Sequence, residues 1–191
     1  MCPASESAAC GGLVVHVLAD AATIAGDSAA PGYLSGFGGL PAPGLRELAK
    51  SAKLRPLIHP KDRPPEPQYR PSTALAEFVR CRDLTCRFPG CDRPAAHCDI
   101  DHTVPYPLGP THASNLKLLC RIHHRLKSFY AGSHGWQDRQ EPDGTVFWTA
   151  PSGDTSTPPG PAGVFSFRRW PSRPAHWCCR RICRHRRSIE V

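Results

Sequence analysis

The hydrophobic and polar positions of this chain follow several distinct patterns, each of which predicts an element of secondary structure. The apolar run LVVHVLAD predicts a strand, and PGLRELAKSA predicts a short amphipathic helix. Ser72 is a candidate N-cap for a second helix. The inward face of that helix is predicted from positions i, i+3, i+4 and i+7, which are Leu75, Phe78, Val79 and Arg82.

The centre of the chain alternates between extended and helical patterns. CDIDHTVPY predicts a short strand, PLGPTHAS a loop, NLKLLC a second extended segment, and HHRLKSFY a helix. Two alternating runs in WQDRQEPDGTVFWTA surround Pro142, Asp143 and Gly144, which is typical of a hairpin. Together these elements predict a small α+β domain.

Proline and glycine divide the chain around this domain. They account for 22 and 16 of the 191 residues and cluster outside the centre. Residues 1–70 end in the proline-broken connector IHPKDRPPEPQYRPS and have too little apolar sequence to bury a core alone. We therefore expect a first segment over residues 1–70, a compact domain over 71–150, and an irregular tail over 151–191.

The net charge of +8 is concentrated near the C-terminus. Residues 168–191 hold eight arginines against one glutamate, whereas residues 80–130 hold eight lysines and arginines against four aspartates. A basic surface in the second region would attract phosphates, although a solvated charged face explains it equally well. Net charge alone therefore does not identify a nucleic-acid partner.

The ten cysteines are interpreted as reduced thiols rather than as a disulfide framework. The N-terminal sequence MCPASESAACGG lacks the basic residues and the long apolar run of a signal peptide. The next apolar run is short and is interrupted by His16 and Asp20. We expect a soluble, cytoplasmic protein with no membrane partner and with thiols available to metal.

Two short-spaced pairs of metal-ligating residues are separated by about thirty residues. Cys86 and Cys91 enclose four residues, and Cys120 and His123 enclose two, a spacing typical of structural zinc sites. The alternatives are buried thiols without metal and an all-cysteine site formed by Cys81, Cys86, Cys91 and Cys98. The all-cysteine site is less favoured, because its first and last members are predicted within the helix and the strand as structural residues.

A second set of polar residues has the composition of an open metal site. Hydrolysis of a phosphodiester requires a nucleophilic water and a cation that offsets charge in the transition state. A carboxylate and a neutral histidine can hold one divalent ion, while another histidine takes a proton from water. The residues that supply these groups, with a lysine one helical turn beyond, are Asp101, His102, Asn115, His124 and Lys127.

The order of these residues resembles the HNH endonuclease motif on a ββα-metal core: DH, then N, then LCxxHHxxK. The run VRCRDLTCRFPGCDRPAAHCDIDHTVPYPLGPTHASNLKLLCRIHHRLKSF, with the later PDGTVFWTAPSG, resembles an actinobacterial family of HNH-domain proteins often encoded by mobile repeats. The resemblance covers about residues 12–165. It implies a metal-dependent endonuclease that cleaves double-stranded DNA and uses no small-molecule cofactor.

The resemblance also implies a role for each residue of the motif. His102 would be the general base, and Asp101 with His124 would bind the catalytic Mg²⁺ or another divalent ion. Asn115 would orient the base or its loop. The zinc ligands would be Cys86, Cys91, Cys120 and His123, although many relatives have cysteine at the last position. Nucleic-acid contacts are expected from the basic residues Lys117, Arg121, Arg125 and Lys127.

The motif predicts two local features of the strand that carries it. Neighbouring side chains on a helix point about 100° apart, so His123 and His124 should serve different metals. On a regular strand Asp99 and Asp101 would share a face while His102 points away, so we expect the strand to end or bulge there. Asp99 itself is expected to be a solvated or hairpin-paired carboxylate.

The two ends of the chain depart from the family pattern. Only LVVHVLADAATIAG represents the long helical region that usually precedes the domain, so the chain is interpreted as N-terminally shortened. The ending RRWPSRPAHWCCRRICRHRRSIEV is either a basic arm that grips phosphates or unselected sequence. A catalytically silent, zinc-dependent nucleic-acid-binding remnant of a mobile-element protein is therefore the alternative function.

Overall fold

The structure is a computed structural model that describes residues 14–57, 60, 63–130, 132, 134–157 and 177–183. Small sheets and a few short helices make up this part of the chain, which confirms a mixed α and β architecture. The elements in chain order are β1 (Val14–Asp20), α1 (Ala21–Ala25), β2 (Gly32–Leu34), β3 (Gly38–Leu40), α2 (Ala42–Lys50), β4 (Lys53–Leu57), α3 (Thr73–Asp83), β5 (Cys98–His102), β6 (Leu116–Cys120), α4 (Arg121–Phe129), β7 (Gln137–Gln140), β8 (Val146–Thr149), β9 (Thr155–Ser156) and β10 (Trp177–Cys183).

The chain divides into two compact units, one formed by residues 1–56 with 177–191 and the other by residues 57–176. This division differs from the boundaries expected at residues 70 and 150. The connector belongs with the second unit because its Glu66 amide donates to the Thr111 carbonyl at 2.9 Å. No helix among the described residues is long and apolar enough to cross a membrane.

The first unit is built on a sheet with strand order β3-β2-β1-β10-β4. The predicted strand β1 and helix α2 are both present, and the packed core includes Val17, Ala19 and Leu45. Contrary to the irregular tail predicted, residues 177–183 form β10, which pairs antiparallel with β1 from Asp20 to Val14. Hydrogen bonding to a neighbouring strand stabilises β10 although its sequence lacks an alternating pattern. The remainder of the arginine-rich ending lies outside the described residues.

The second unit begins with α3, which starts where the capping signal predicts. The Ser72 hydroxyl accepts a hydrogen bond from the Leu75 amide at 3.3 Å, as an N-cap does. The helix ends at Asp83, and Leu84 follows with a left-handed backbone (φ +59°). This sharp turn directs the chain away from the helix and into the cysteine-rich segment.

A hairpin and a helix form the centre of the second unit. Strands β5 and β6 pair antiparallel, with Cys98 opposite Cys120 and His102 opposite Leu116. Helix α4 begins at the residue after β6, so the order is strand, strand, helix. The second predicted hairpin is also present, with β7 paired to β8 and extended by β9. Gly144 adopts a positive φ of +90° in its turn, a conformation that favours glycine.

The core of the second unit forms around Trp148, which is fully buried. Its indole nitrogen donates to the Arg87 carbonyl at 2.6 Å, so its polar atom is satisfied. Phe88 meets the Trp148 ring edge to face, and Cys86 and Cys120 belong to the same buried cluster. The packing of the second hairpin therefore extends directly to two of the predicted metal ligands.

Arg82 has a different role from the one that helical spacing suggests. It lies on the buried face of α3, but its guanidinium donates to Asp83 at 2.7 Å and to the carbonyls of Ala113 and Leu116 at 2.6 Å each. The second carboxylate oxygen of Asp83 accepts from the Leu118 amide at 2.8 Å. This buried ion pair joins α3 to β6 and to the loop before it.

Replacing Arg82 with methionine should therefore lower the free energy of unfolding by about 3–5 kcal/mol, because it leaves the buried Asp83 carboxylate without its counter-charge. Urea denaturation of the full chain would measure the change. Arg80→Met is the matched control, because Arg80 is exposed on the same helix and its replacement should change stability by less than about 0.5 kcal/mol. Equal effects of the two substitutions would contradict a structural role for the Arg82 pair.

Candidate metal centre and candidate active site

The structure brings together all four residues of the metal site predicted from spacing. The sulfur atoms of Cys86, Cys91 and Cys120 and a ring nitrogen of His123 all lie within 4.8 Å of one another. The Nδ1 atom of His123 is 3.5 Å from Cys86 Sγ and 3.3 Å from Cys120 Sγ. These four side chains could hold one metal ion.

Local backbone structure explains how each pair converges. The first pair closes through a tight turn, in which the Cys91 amide donates to the Phe88 carbonyl at 3.1 Å and Gly90 adopts a φ of +72°. The second pair spans the junction of β6 and α4, because Cys120 is the N-cap of the helix and His123 lies in its first turn. The Cys120 amide donates to Cys86 Sγ at 3.2 Å, which joins the two pairs.

Two of the distances between donor atoms are close to those expected around a tetrahedral ion. Metal–sulfur bonds of about 2.3 Å and metal–nitrogen bonds of about 2.1 Å would place donors about 3.6–3.8 Å apart. The two measured sulfur–nitrogen distances, 3.3 and 3.5 Å, are close to that value. The His123 ring also stacks on Phe88, with centroids 3.9 Å apart and planes 11° apart, which fixes its orientation toward the thiols.

The ionisation of these groups would couple uptake of a metal to release of protons. A hydrogen bond with Cys98 and burial raise the pKa of the Cys86 thiol, and burial raises the pKa of Cys91 to about 11. Burial lowers the pKa of His123, which keeps its imidazole neutral at physiological pH. The metal-free thiols of Cys86 and Cys91 are therefore protonated near neutrality, whereas a metal ion binds thiolates.

Titration of the metal-free protein with Zn²⁺ should release about two protons or more per ion at pH 7, from Cys86 and Cys91, with none from His123. Since those thiol pKa values are raised, affinity should increase as pH rises from 6 toward 9. Calorimetry in buffers of different ionisation enthalpy would count the protons. A binding enthalpy that does not depend on the buffer would contradict coordination by these thiols.

A second cluster lies where β5, β6, α4 and β7 meet. Lys117 is fully buried, with its Nζ 2.7 Å from Asp101 Oδ2 and 2.5 Å from Asp138 Oδ2. Burial opposes the Lys117 charge, but these carboxylates outweigh burial and raise the pKa of Lys117. Lys127 adds a second ammonium group 2.7 Å from Asp101 Oδ2, so the network balances two positive and two negative charges.

This network corrects the assignment of Lys117 to a nucleic-acid surface, because its side chain has no exposed atoms to offer a phosphate. Lys127 is also largely buried, and its Nζ donates to the backbone carbonyls of His102 and Thr103 as well as to Asp101. Arg121 and Arg125, by contrast, are exposed on α4, and Arg121 also contacts Asp99 Oδ2 at 3.2 Å. The expected basic surface is thus reduced to these two arginines.

His124 lies between two carboxylates of β5. Its Nδ1 is 2.9 Å from Asp99 Oδ2, and its Nε2 is 3.5 Å from Asp101 Oδ1. In the tautomer of His124 with its proton on Nδ1, Nδ1 would donate to Asp99, and the Nε2 lone pair would face Asp101 Oδ1 as a second acceptor. In that tautomer the two acceptors would form a favourable place for a cation, with Asp99 orienting the histidine as a partner carboxylate does.

His102 lies at the end of β5 in a different environment. Its Nε2 is 2.9 Å from Thr111 Oγ1, and its ring stacks on Tyr69 with centroids 5.2 Å apart. The side chain is 6% exposed, and burial lowers the pKa of its imidazole so that the neutral form predominates. The strand ends at His102, as expected, but the regular pairing continues to that residue without a bulge.

Asn115 fastens the loop that follows His102. Its Oδ1 accepts from the Val104 amide at 2.8 Å, and its Nδ2 donates to the carbonyls of Val104 and Pro110 at 3.0 Å each. A Cβ at Gly109 would lie 2.6 Å from Asn115 Nδ2, so this close approach requires glycine. The amide therefore closes the loop at both ends, beside the last residue of β5.

Three functional contacts are missing from the sequence interpretation. Asp99 remains 40% exposed, as a solvated carboxylate would be, but it also pairs with His124. Asp138 completes the lysine network. The alternating pattern around β7 could have predicted that Asp138 points inward, because Asp138 shares the less exposed face of the strand with Trp136 and Gln140. No local pattern indicates that Thr111 meets His102, because the loop between them determines that contact.

Comparisons with known proteins identify relatives of this chain. Residues 2–83, which end before the first metal ligand, match the model of a Domain of unknown function (DUF222). The chain is 52% identical over 172 residues to the uncharacterised protein Rv3776 of Mycobacterium tuberculosis H37Rv. This match covers 76% of this chain and 32% of that protein. It is 58% identical over 137 residues to the uncharacterised protein Rv2100 of the same strain, covering 71% and 24% respectively. The chain thus spans a third or less of the length of these relatives, and no solved structure matches it.

Proposed function

We propose that this protein is a metal-dependent HNH endonuclease that hydrolyses phosphodiester bonds in double-stranded DNA. The observation that carries the proposal is the pair of acceptors, Asp101 Oδ1 and His124 Nε2, which lie 3.5 Å apart. The buried histidine whose neutral form is favoured, His102, is the residue that follows Asp101 in the chain. The succession of β5, β6 and α4 supports the proposal, because the implied ββα-metal core has the same order of elements. The resemblance of the motif residues to the HNH pattern supplies the reaction class.

We assign the thiol-rich centre to structural zinc. Three sulfur donors and one imidazole in a closed, partly buried cluster are the ligands that structural zinc takes. Its coordination would join the segment around Cys86 to the β6–α4 junction and stabilise a domain with a small core. Coordination requires reduced thiols, which is consistent with a cytoplasmic location.

Asp101 and His124 would hold the catalytic Mg²⁺ or another divalent ion, with Asp99 orienting His124 through Nδ1. Such an ion stabilises negative charge on the phosphate and supplies open positions for water. Oδ1 is the carboxylate oxygen that remains for it, because Lys117 and Lys127 both contact Oδ2. Lys127 fixes Asp101 in place and adds positive charge next to the site.

His102 would take the proton from the attacking water, since a neutral imidazole is the form that acts as a base. Thr111 and Tyr69 hold its ring, and Asn115 holds the loop that follows it. On the helix surface, the exposed Arg121 and Arg125 would contact phosphates of the DNA backbone. Contacts of this kind contribute affinity without reading the base sequence.

The alternative is a zinc-dependent nucleic-acid-binding remnant without activity. Two features of the cluster favour it: both lysines already neutralise Asp101, and His102 is covered by Tyr69. A protein of this kind would bind DNA and retain zinc but would not cleave. The two functions therefore differ in one measurable property, which is strand cleavage.

The zinc-loaded 191-residue chain should nick supercoiled plasmid when Mg²⁺ or Mn²⁺ is added. His102→Ala should lower the rate by about 10²–10⁴-fold with little change in DNA affinity, because a general base acts only on the chemical step. His97→Ala is the matched control, since His97 is an exposed histidine of the same unit. DNA binding without nicking by a folded, zinc-containing wild type would support the silent remnant instead.

Asp99→Ala should raise the Mn²⁺ concentration needed for half-maximal nicking by about 10–100-fold, since it removes the carboxylate that orients a metal-ligating histidine. Asp99→Asn keeps a hydrogen-bond acceptor and should have a smaller effect, which separates orientation from loss of charge. Asp92→Ala controls for removing an exposed carboxylate of the same unit. Unchanged Mn²⁺ dependence in Asp99→Ala would exclude His124 as a ligand oriented by Asp99.

A further inference from the structure

A fifth donor lies beside the candidate zinc centre. Cys98 is directly opposite Cys120 in the pairing of β5 with β6. Directly opposed residues of an antiparallel pair project from the same face, with Cβ atoms about 4.5–5.5 Å apart. Cys98 consequently faces the side on which Cys120 meets the other ligands, and it packs against the buried cluster that contains Cys86 and Cys120.

The Cys98 thiol makes only weak competing contacts. Its sulfur is 3.5 Å from the backbone carbonyls of Arg93 and Pro94, distances at which a thiol is a poor donor. Its interaction with Cys86 is the largest influence on the pKa of that ligand. The thiol is therefore held close to the centre by its hydrogen bond with Cys86, which is itself a candidate ligand.

Cys98 is not one of the four residues whose donor atoms all lie within 4.8 Å of one another, so its sulfur lies at the edge of the centre as one more thiol than a four-coordinate ion requires. Structural zinc accepts either three thiolates and an imidazole or four thiolates. Four thiolates around Zn²⁺ carry one more negative charge than three thiolates and a neutral imidazole. Arg87 is buried close enough to Cys86 to interact electrostatically with it, and its positive charge would offset part of that increase.

We propose that Cys98 is an alternate ligand of this centre, able to replace His123 and convert a three-thiolate site into a four-thiolate site. In the exchange, Cys98 loses its thiol proton to water and its sulfur binds the metal, while His123 leaves as a neutral imidazole. No electron is transferred. The proposal rests on the zinc site assigned above but not on nuclease activity.

Exchange at this position would also affect the neighbouring histidine. His123 and His124 are consecutive residues of the first turn of α4. Release of His123 would remove the metal bond that fixes this turn, whereas Cys86, Cys91 and Cys120 would stay coordinated. Cys98 could therefore keep the domain closed while the helix segment that carries His124 gains freedom.

The test is a Co²⁺ titration of the full chain, in which the intensity of thiolate-to-cobalt absorption reports the number of sulfur ligands. Wild type should bind one equivalent with three thiolates. His123→Ala should still bind one equivalent, with an intensity about one third higher, as expected for four thiolates instead of three. The double variant His123→Ala/Cys98→Ser should lose that increase and bind cobalt at least about tenfold more weakly.

Two further variants complete the design. His123→Ala/Cys81→Ala removes a buried cysteine that, unlike Cys98, is not among the residues packed against the cluster of Cys86 and Cys120, and it should behave like His123→Ala alone. Cys98→Ser alone should keep the three-thiolate spectrum of the wild type. Circular dichroism of each cobalt-loaded variant would establish that it is folded.

Several results would overturn the proposal. Equal affinity and intensity in His123→Ala and His123→Ala/Cys98→Ser would show that Cys98 does not ligate. A His123→Ala protein that stays unfolded with cobalt would also count against the proposal, because an alternate ligand should keep the centre closed. His123→Asn would be titrated in the same way to confirm this result. A wild type that binds no cobalt would instead overturn the zinc site itself.

Discussion

The junction between β6 and α4 is the constraint on which both candidate sites depend. Cys120 ends the strand and begins the helix, and its amide donates to the sulfur of Cys86. The helix therefore starts at a point fixed by the metal cluster. His123 turns back to the thiols, and His124, rotated by about 100°, reaches the carboxylates of β5. One junction thus positions a ligand for each site.

Buried charge is the second physical feature that organises the domain. A fully buried lysine is tolerated only when carboxylates pair with it, and Lys117 has two, from β5 and β7. Lys127 extends the network to α4 and fixes the end of β5 through backbone carbonyls. The lysines hold Asp101 through one oxygen and leave the other beside His124. The same residues therefore stabilise the fold and determine how the candidate active site can accept a cation.

Much of the fold follows from local signals. The capped helix α3, the β5–β6 hairpin, helix α4 and the β7–β8 hairpin are all indicated by hydrophobic spacing and turn residues. Strand β10 is not indicated by local signals, because its partner β1 lies more than 150 residues away in sequence and the pairing depends on backbone hydrogen bonds. Arg82 likewise occupies an inward helical position that spacing identifies, while its ion pair with Asp83 and its carbonyl partners depend on the packing of β6.

The metal cluster is predicted from spacing alone, because Cys86 with Cys91, and Cys120 with His123, each come together through a short turn. Helical geometry likewise predicts that the two consecutive histidines diverge. Packing, by contrast, places Lys117 in the interior, Asp99 against His124, and Thr111 and Tyr69 around His102. Those contacts join residues from different elements, and distances between elements depend on packing, which no local pattern specifies.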